Sequence, residues 1–351
     1  MSDIGKSTLD LHLDPIARFL EDDAITEIVI NRPGEIMVER RDGWETLQSA
    51  AVSYAWCEGL TMLLRNRANQ NLTESWPLLG TQLPGGLRVQ VVVPPAVEAG
   101  KISLTTRRPT VQVLSMNEII ESGAFDSTHC VQSLLLDSEE RMRIEEALPE
   151  SEQVLLTMFR KRNWKAFFKT AVESRKNIVS SGATGSGKTT LSNALASMIP
   201  LDERIITIED VPEMRLPHAN QVNLFYPKGE NGVSKLKARD LLEASLRMRP
   251  DRVLLAELRG DETFFFIQNV LNSGHPGTIT TVHAGRAKLA FRRLALLIKS
   301  SAEGAGLDLA DITENLHALV DIVVQMQRLP DGRRVASEVY FDPAFAARQL
   351  G

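Results

Sequence analysis

Apolar residues recur at helical spacing from Leu9 to Leu20, which predicts an amphipathic helix near the start of the chain. Two short runs follow, Ala24 to Ile30 and Glu35 to Arg40, around Asn31-Arg32-Pro33-Gly34; they predict strands joined by a turn. Ser53 to Asn69 predicts a second helix, with Ser53 as its cap. Leu78 to Leu83 and Leu87 to Val93 flank Pro84-Gly85-Gly86 and predict a hairpin. Lys101 to Arg107 alternates apolar and polar side chains, as a half-buried strand does. About five strands and two helices are expected before residue 109, an α+β domain over 1–109.

From Ser151 the period changes. Helical segments at Asn163 to Arg175, Lys188 to Met198, Ala238 to Met248 and Asp261 to Asn272 alternate with short apolar runs. Those runs are Asn177 to Ser181, Arg204 to Ile208, Arg252 to Ala256 and Gly277 to Val282. Such alternation predicts an α/β domain with a mainly parallel sheet, over 151–351. Two further helices are expected, then Leu319 to Arg328 and Arg334 to Phe341 as an antiparallel edge hairpin about Pro330-Asp331-Gly332. Between the two regions, Asp126 to Glu152 holds eight acidic residues against Arg141 and Arg143. The stretch 110–150 reads as a solvated linker with a helix around Asp137 to Leu148.

Composition removes several classes of function. A chain of 351 residues suits two domains of ordinary size. No apolar run approaches the ~18 residues of a membrane span. Met1 to Asp14 has no apolar signal core, so a cytoplasmic location is expected. Two cysteines, Cys57 and Cys130, make neither a disulfide framework nor a four-cysteine zinc site. A net charge of −5 argues against blanket neutralisation of nucleic-acid phosphates, and no direct sequence-specific nucleic-acid binding is expected.

Gly182-Ala183-Thr184-Gly185-Ser186-Gly187-Lys188-Thr189, with Thr190 behind it, fits the phosphate-loop pattern at every fixed position. Glycines let successive N–H groups turn inward toward an anion, and a helix beginning near Lys188 aims its dipole at the same place. Lys188 would reach the β- and γ-phosphates of ATP, and the Thr189 hydroxyl would bind Mg²⁺. Val253 to Glu257 is an apolar strand ending in an acid, which downstream of a phosphate loop suits a carboxylate at the Mg²⁺ site better than the alternative, a salt bridge at a strand end. Arg204 to Asp210, then Glu213, is a second strand ending in carboxylates; water activation and helix capping both fit. Ser273 to Ala284 places His275 and His283 around a short strand, where spacing alone fits a packed core histidine better than a phosphate contact. His12, His129, His218 and His317 show no partner pattern.

In this order, the segments resemble the secretion ATPase superfamily, which powers type II secretion, type IV pili and type IV secretion. INRPGE at Ile30 to Glu35, TQLPGGLRVQVVVPP at Thr81 to Pro95, SLTTRRP at Ser103 to Pro109 and LLEASLRMRPDRVLLAE at Leu241 to Glu257 are similar to its type IV secretion branch, the traffic ATPases. The resemblance covers nearly the whole chain and is weakest in the acidic stretch. It implies a RecA-like C-terminal domain, a homo-hexameric ring, and ATP bound between the two domains of a subunit. It further implies that Glu209 activates or positions water, that Glu257 works with Mg²⁺ and water, and that His283 lies near the γ-phosphate. Arg107 and Arg108 match the arginines by which the N-terminal domain closes over the nucleotide, with Arg88 a further candidate. The implied partners are inner-membrane components of a secretion machine, contacted from the cytoplasmic side. Two departures stand out: Ala256 replaces the usual glycine before the strand-end glutamate, and Gly260 intervenes between Arg259 and Asp261. A pilus-retraction or type II secretion ATPase is the alternative within the class; a nucleic-acid motor or a nucleotide-gated scaffold is the alternative outside it.

Overall fold

The structure is a computed structural model that describes residues 7–40, 42–108, 113–226, 236–272 and 274–350. Pro109 of the SLTTRRP stretch, Ser273 of the histidine box and the first residues of the expected linker lie outside them. The described residues form two compact units, 7–108 and 113–226 with 236–350.

In the first unit, alternating burial decides the architecture. Six strands, β1 (Glu27–Ile30), β2 (Glu35–Arg40), β3 (Gly43–Gln48), β4 (Leu78–Gln82), β5 (Arg88–Val92) and β6 (Ser103–Arg107), make one sheet of order β3-β2-β1-β6-β5-β4. Every neighbouring pair is antiparallel. Ile28, Ile30, Val89, Val91 and Leu104 point to a core shared with the helices Thr8–Leu13, Ala17–Leu20 and Tyr54–Ala68. Ser53 caps the last of these by accepting from the Trp56 N–H. The helix expected from Leu9 to Leu20 is broken by a 3₁₀ turn, Asp14–Ile16, because Pro15 has no N–H to continue the α pattern. The strand β3 was not expected: nearly all its side chains are exposed, so no alternation marks it.

The second unit has central strands buried on both faces and outer strands that are partly exposed. They are β7 (His129–Val131), β8 (Ile178–Gly182), β9 (Ile205–Glu209), β10 (Gln221–Phe225), β11 (Arg252–Leu255), β12 (Ile279–Val282), β13 (Ile322–Arg328) and β14 (Arg334–Phe341). Hydrogen bonding orders them β10-β9-β11 and β12-β8-β13-β14-β7. The two sets meet where Leu258 N donates to Thr281 O at 2.9 Å and the Thr278 hydroxyl donates to Val253 O at 2.7 Å. Pairing is parallel except for β13 with β14. Ile178, Ile205, Leu254 and Ile279 pack with Trp164, Phe167, Phe168 and Leu191. Val179, Ile208, Val253 and Val282 pack with Phe266, Phe291 and Leu294 in a second core. This double covering is the condition under which parallel strands read as continuous apolar runs.

Three expectations need correction. The stretch read as a linker is part of the second unit over its described residues 113–150. Its helix Ser138–Ala147 forms with Asp137 as cap, but β7 precedes it and pairs with β14. Arg141 then makes a bidentate pair with the buried Asp342, at 2.8 and 3.0 Å, so part of the apparent charge run is an internal tie. The hairpin β13–β14 forms as expected but is not an edge: β13 lies between β8 and β14, and β7 covers β14. Finally, the helix expected over Asp261 to Asn272 is α over Glu262–Phe266 and π over Ile267–Leu271, a hydrogen-bond register that side-chain spacing does not encode. No helix of the described residues is long and apolar enough to cross a membrane.

Candidate active site

The strand β8 delivers the chain, fully buried, to the phosphate loop. At Gly182 a Cβ would stand 2.4 Å from both the Met326 carbonyl oxygen and the Ser186 hydroxyl, so no other residue fits. Gly185 and Gly187 adopt φ of +75° and +98°, where side chains are strained. The helix Lys188–Ala196 begins directly behind, and its first N–H groups have no intrahelical acceptor. The Ser186 hydroxyl is buried and makes no hydrogen bond among the described residues. Glycine-shaped backbone, helix N-terminus and orphaned hydroxyl together fit the oxygens of a polyphosphate.

The Lys188 ammonium is buried and donates to Gly182 O at 2.7 Å and Ala183 O at 2.8 Å. It also lies 3.4 Å from His283 Nδ1. His283 directly follows β12, and its Nε2 sits 3.0 Å from Glu257 Oε1. An ammonium has only protons to offer and a carboxylate only lone pairs, so both neighbours fit the tautomer with the proton on Nε2. Burial, reinforced by the Lys188 charge, holds the His283 pKa below its ordinary value against the pull of Glu257. The ring is therefore neutral at pH 7.

Glu257, two residues beyond β11, is engaged on both oxygens. Arg259 Nη2 donates to Oε2 at 2.6 Å, and Arg259 Nη1 reaches Asp210 Oδ2 at 2.5 Å. Burial pushes the Glu257 pKa up, but Arg259, His283 and Lys188 together outweigh it and hold the group below the usual carboxylate value. Glu257 is thus ionised at neutral pH. The ends of β8, β9, β11 and β12 are brought together here, as expected of a parallel sheet, whose ligand crevice lies outside the carboxyl ends of its strands.

Two of the three acids of the 209–213 loop, Glu209 and Glu213, stand in different surroundings. Glu209 is fully buried; it accepts from the Thr207 hydroxyl at 3.0 Å and from the Glu213 and Met214 N–H groups at 2.7 and 2.8 Å. Burial raises its pKa while these donors lower it. It shapes the loop. Glu213, whose carboxylate lies 3.3 Å from the Thr189 hydroxyl, is the acid that faces the expected Mg²⁺ position. Thr190 follows Thr189 on the same helix, half-buried.

In the first unit, Arg108 is committed to its own surroundings. Its guanidinium donates to Leu20 O at 2.6 Å, Ile25 O at 3.1 Å and Asp22 O at 3.3 Å, and pairs with Asp23. Arg107 is half-exposed, 3.7 Å from Glu27, and stands directly opposite Arg88 across the β5–β6 pair. Two site residues escaped the sequence reading, Arg259 and Arg334, while Asp210 was read only as one of the carboxylates ending the second acidic strand. Arg259 carries no signal beyond its position just after Glu257. Arg334 donates from Nε to Gly185 O at 3.1 Å, and 149 positions in sequence separate the pair.

A profile of the type II/IV secretion system protein family matches residues 141–338. A type IV secretion system protein VirB11 from Bartonella henselae is 42% identical over 331 residues, 94% of this chain and 92% of that protein. The chain belongs to the type II/IV secretion system protein family. Within the family, VirB11 of Brucella suis biovar 1 is 40% identical over 342 residues, 96% of this chain and 91% of that protein. The crystal structure of the VirB11 ATPase from the Brucella suis type IV secretion system, in complex with sulphate, aligns over 97% of this chain and 100% of that one, with 39% identity and a TM-score of 0.54. The pilus retraction motor PilT with bound ADP shares the fold, with a TM-score of 0.59 at 18% identity over 99% of this chain and 88% of that one.

Proposed function

We infer that this family member is an ATPase that powers a type IV secretion system, in pilus assembly or in export of DNA or protein. The reading rests on the Lys188–His283–Glu257–Arg259–Asp210 chain of contacts at the mouth of a glycine-built phosphate loop. Relatives that match nearly the whole chain are named type IV secretion system proteins, and the Brucella suis structure is that of a VirB11 ATPase.

The chain's own residues suit the reaction as follows. Loop amides and the helix N-terminus bind the phosphates of ATP. Lys188 exchanges the Gly182 and Ala183 carbonyls for β- and γ-phosphate oxygens. The Thr189 hydroxyl with Glu213 and Glu257 would hold Mg²⁺, which when bound draws charge from the phosphate oxygens. Glu257, ionised, orients the attacking water and receives its proton. His283, with its proton on Nε2, turns from Glu257 to donate to the γ-phosphate. Glu209 keeps Glu213 in place through the 213 and 214 amides.

The second unit is read as a RecA-like domain and the first as the part that closes on the nucleotide. Arg88 and Arg107 stand opposite each other on β5 and β6 and so present one cationic spot on this face of the sheet, with Arg107 3.7 Å from Glu27. They are the arginines proposed to offset phosphate charge, with Arg108 bracing the strand end. The subunits are proposed to form a homo-hexamer at the cytoplasmic side of the inner membrane, where nucleotide-driven motion of the first unit works on membrane partners. Lys188→Ala tests the core of this reading: turnover and ATP binding should be lost with the circular dichroism spectrum unchanged. Retained ATPase activity would remove the site. Sedimentation with and without ATP tests the hexamer, which a purely monomeric chain would exclude.

A further inference from the structure

The β13–β14 hairpin touches the phosphate loop at Gly182, Gly185 and Gly187. At one end, a register shift between Gln325 and Met326 brings the Met326 carbonyl against Gly182. At the other, the Arg334 stem runs across Gly187: a Cβ on that glycine would lie 3.1 Å from Arg334 Cδ and 3.4 Å from its Cβ. The guanidinium Nε donates to the Gly185 carbonyl at 3.1 Å. In a trans peptide the C=O and the following N–H point in opposite directions. Holding the Gly185 carbonyl toward Arg334 therefore aims the Ser186 N–H into the loop, where it approaches Ala183 O at 3.3 Å.

We propose that Arg334 is a positioning residue for the polyphosphate of the nucleotide: it fixes the 185–187 peptides in their anion-binding orientation and adds a cation beside the loop. Gly185 and Gly187 have the conformational freedom that makes such a brace necessary, because neither has a side chain to hold its peptide in place. The effect belongs to the β- and γ-phosphate end of the ligand. It should grow from AMP to ADP to ATP and be absent for a nucleoside.

The inference rests on the phosphate-loop reading, and the test separates the two. Fluorescent-nucleotide titration is done on the full chain with Lys188→Ala, Arg334→Met and Arg334→Lys, using ATP, ADP and AMP as competitors. Arg334→Met keeps the stem over Gly187 and removes the guanidinium. It should weaken ATP about tenfold, weaken ADP by less, and leave AMP within twofold; KM for ATP should rise more than kcat falls. Arg334→Lys should recover part of the ATP affinity at low salt and lose it at high salt. If Lys188→Ala leaves nucleotide affinity unchanged, the site reading itself fails. If Lys188→Ala abolishes binding but Arg334→Met binds ATP and ADP as the parent does, only the present inference is overturned. Arg334 is exposed, so the melting temperature without nucleotide should stay constant; a fall there with affinities intact makes Arg334 a residue of hairpin stability and likewise overturns it.

Discussion

The two units solve the same problem, presenting charge on a sheet, in different ways. The first unit has an antiparallel sheet with one buried face, so charged side chains can stand along its strands; Glu27, Arg107 and Arg88 lie side by side across β1, β6 and β5. The second unit's central strands are buried on both faces, so its chemistry is confined to the points where strands end. Glu209, Glu257 and His283 all sit at or just past such ends. Strand-end groups are held by backbone and neighbours into one network, whereas groups along an open face pair with their cross-strand neighbours, as Arg107 does with Glu27 at 3.7 Å.

The largest expected effect breaks the strand-end network at its centre. Glu257→Gln should slow turnover by roughly a hundredfold to a thousandfold while ATP binding survives, a result read by filter binding beside a phosphate-release assay. Unchanged turnover would remove Glu257 from the reaction.

The next pair sharpens the division within the 209–213 loop. Glu213→Gln should lower turnover about tenfold with little change in melting temperature. Glu209→Ala should do the reverse, destabilising the second unit by about 1–3 kcal/mol, because the 213 and 214 N–H groups and the Thr207 hydroxyl would lose their acceptor. Equal effects on turnover from both, with no loss of stability, would return Glu209 to the role the family resemblance implied.

A third comparison sets arginines of the first unit against each other. Arg88→Ala with Arg107→Ala should reduce kcat several-fold and leave unfolding unchanged. Arg108→Ala should cost the first unit about 1–3 kcal/mol, since the carbonyls of Leu20, Asp22 and Ile25 lose a shared donor. Loss of turnover in Arg108→Ala with normal stability would show that Arg108 works at the nucleotide after all.

The smallest effect concerns His317, stacked on Phe291 and 3.2 Å from the Tyr340 hydroxyl. Burial pushes its pKa down to about 4. The folded chain keeps it neutral while the unfolded chain takes up a proton near pH 6.5, so stability should fall as pH drops from about 6.5 to about 4 and level off below. The change should be ~2 kcal/mol allowing for partial exposure, and urea titrations of His317→Phe should show a flatter dependence over that window. A parallel pH dependence in parent and variant would rule His317 out as its source.

The sequence by itself determined most of the elements and the identity of the loop chemistry. Gly182 to Thr189 was legible because its spacing reflects local backbone geometry, and β8, β9, β11 and β12 were legible because strands buried on both faces read as short runs rich in β-branched and aliphatic residues. Three things were decided only in the tertiary structure. The acidic stretch before residue 150 became part of the second unit because Arg141 meets Asp342, about two hundred residues away. Glu213 took the place beside Thr189 because the buried Glu209 folds the loop around its own carboxylate. Arg334 came to the phosphate loop because β13 pairs with β8 and carries the hairpin to it. Each depends on a contact between residues far apart in the chain, and a linear pattern records only the neighbours that a helix turn or a strand pleat brings onto one face.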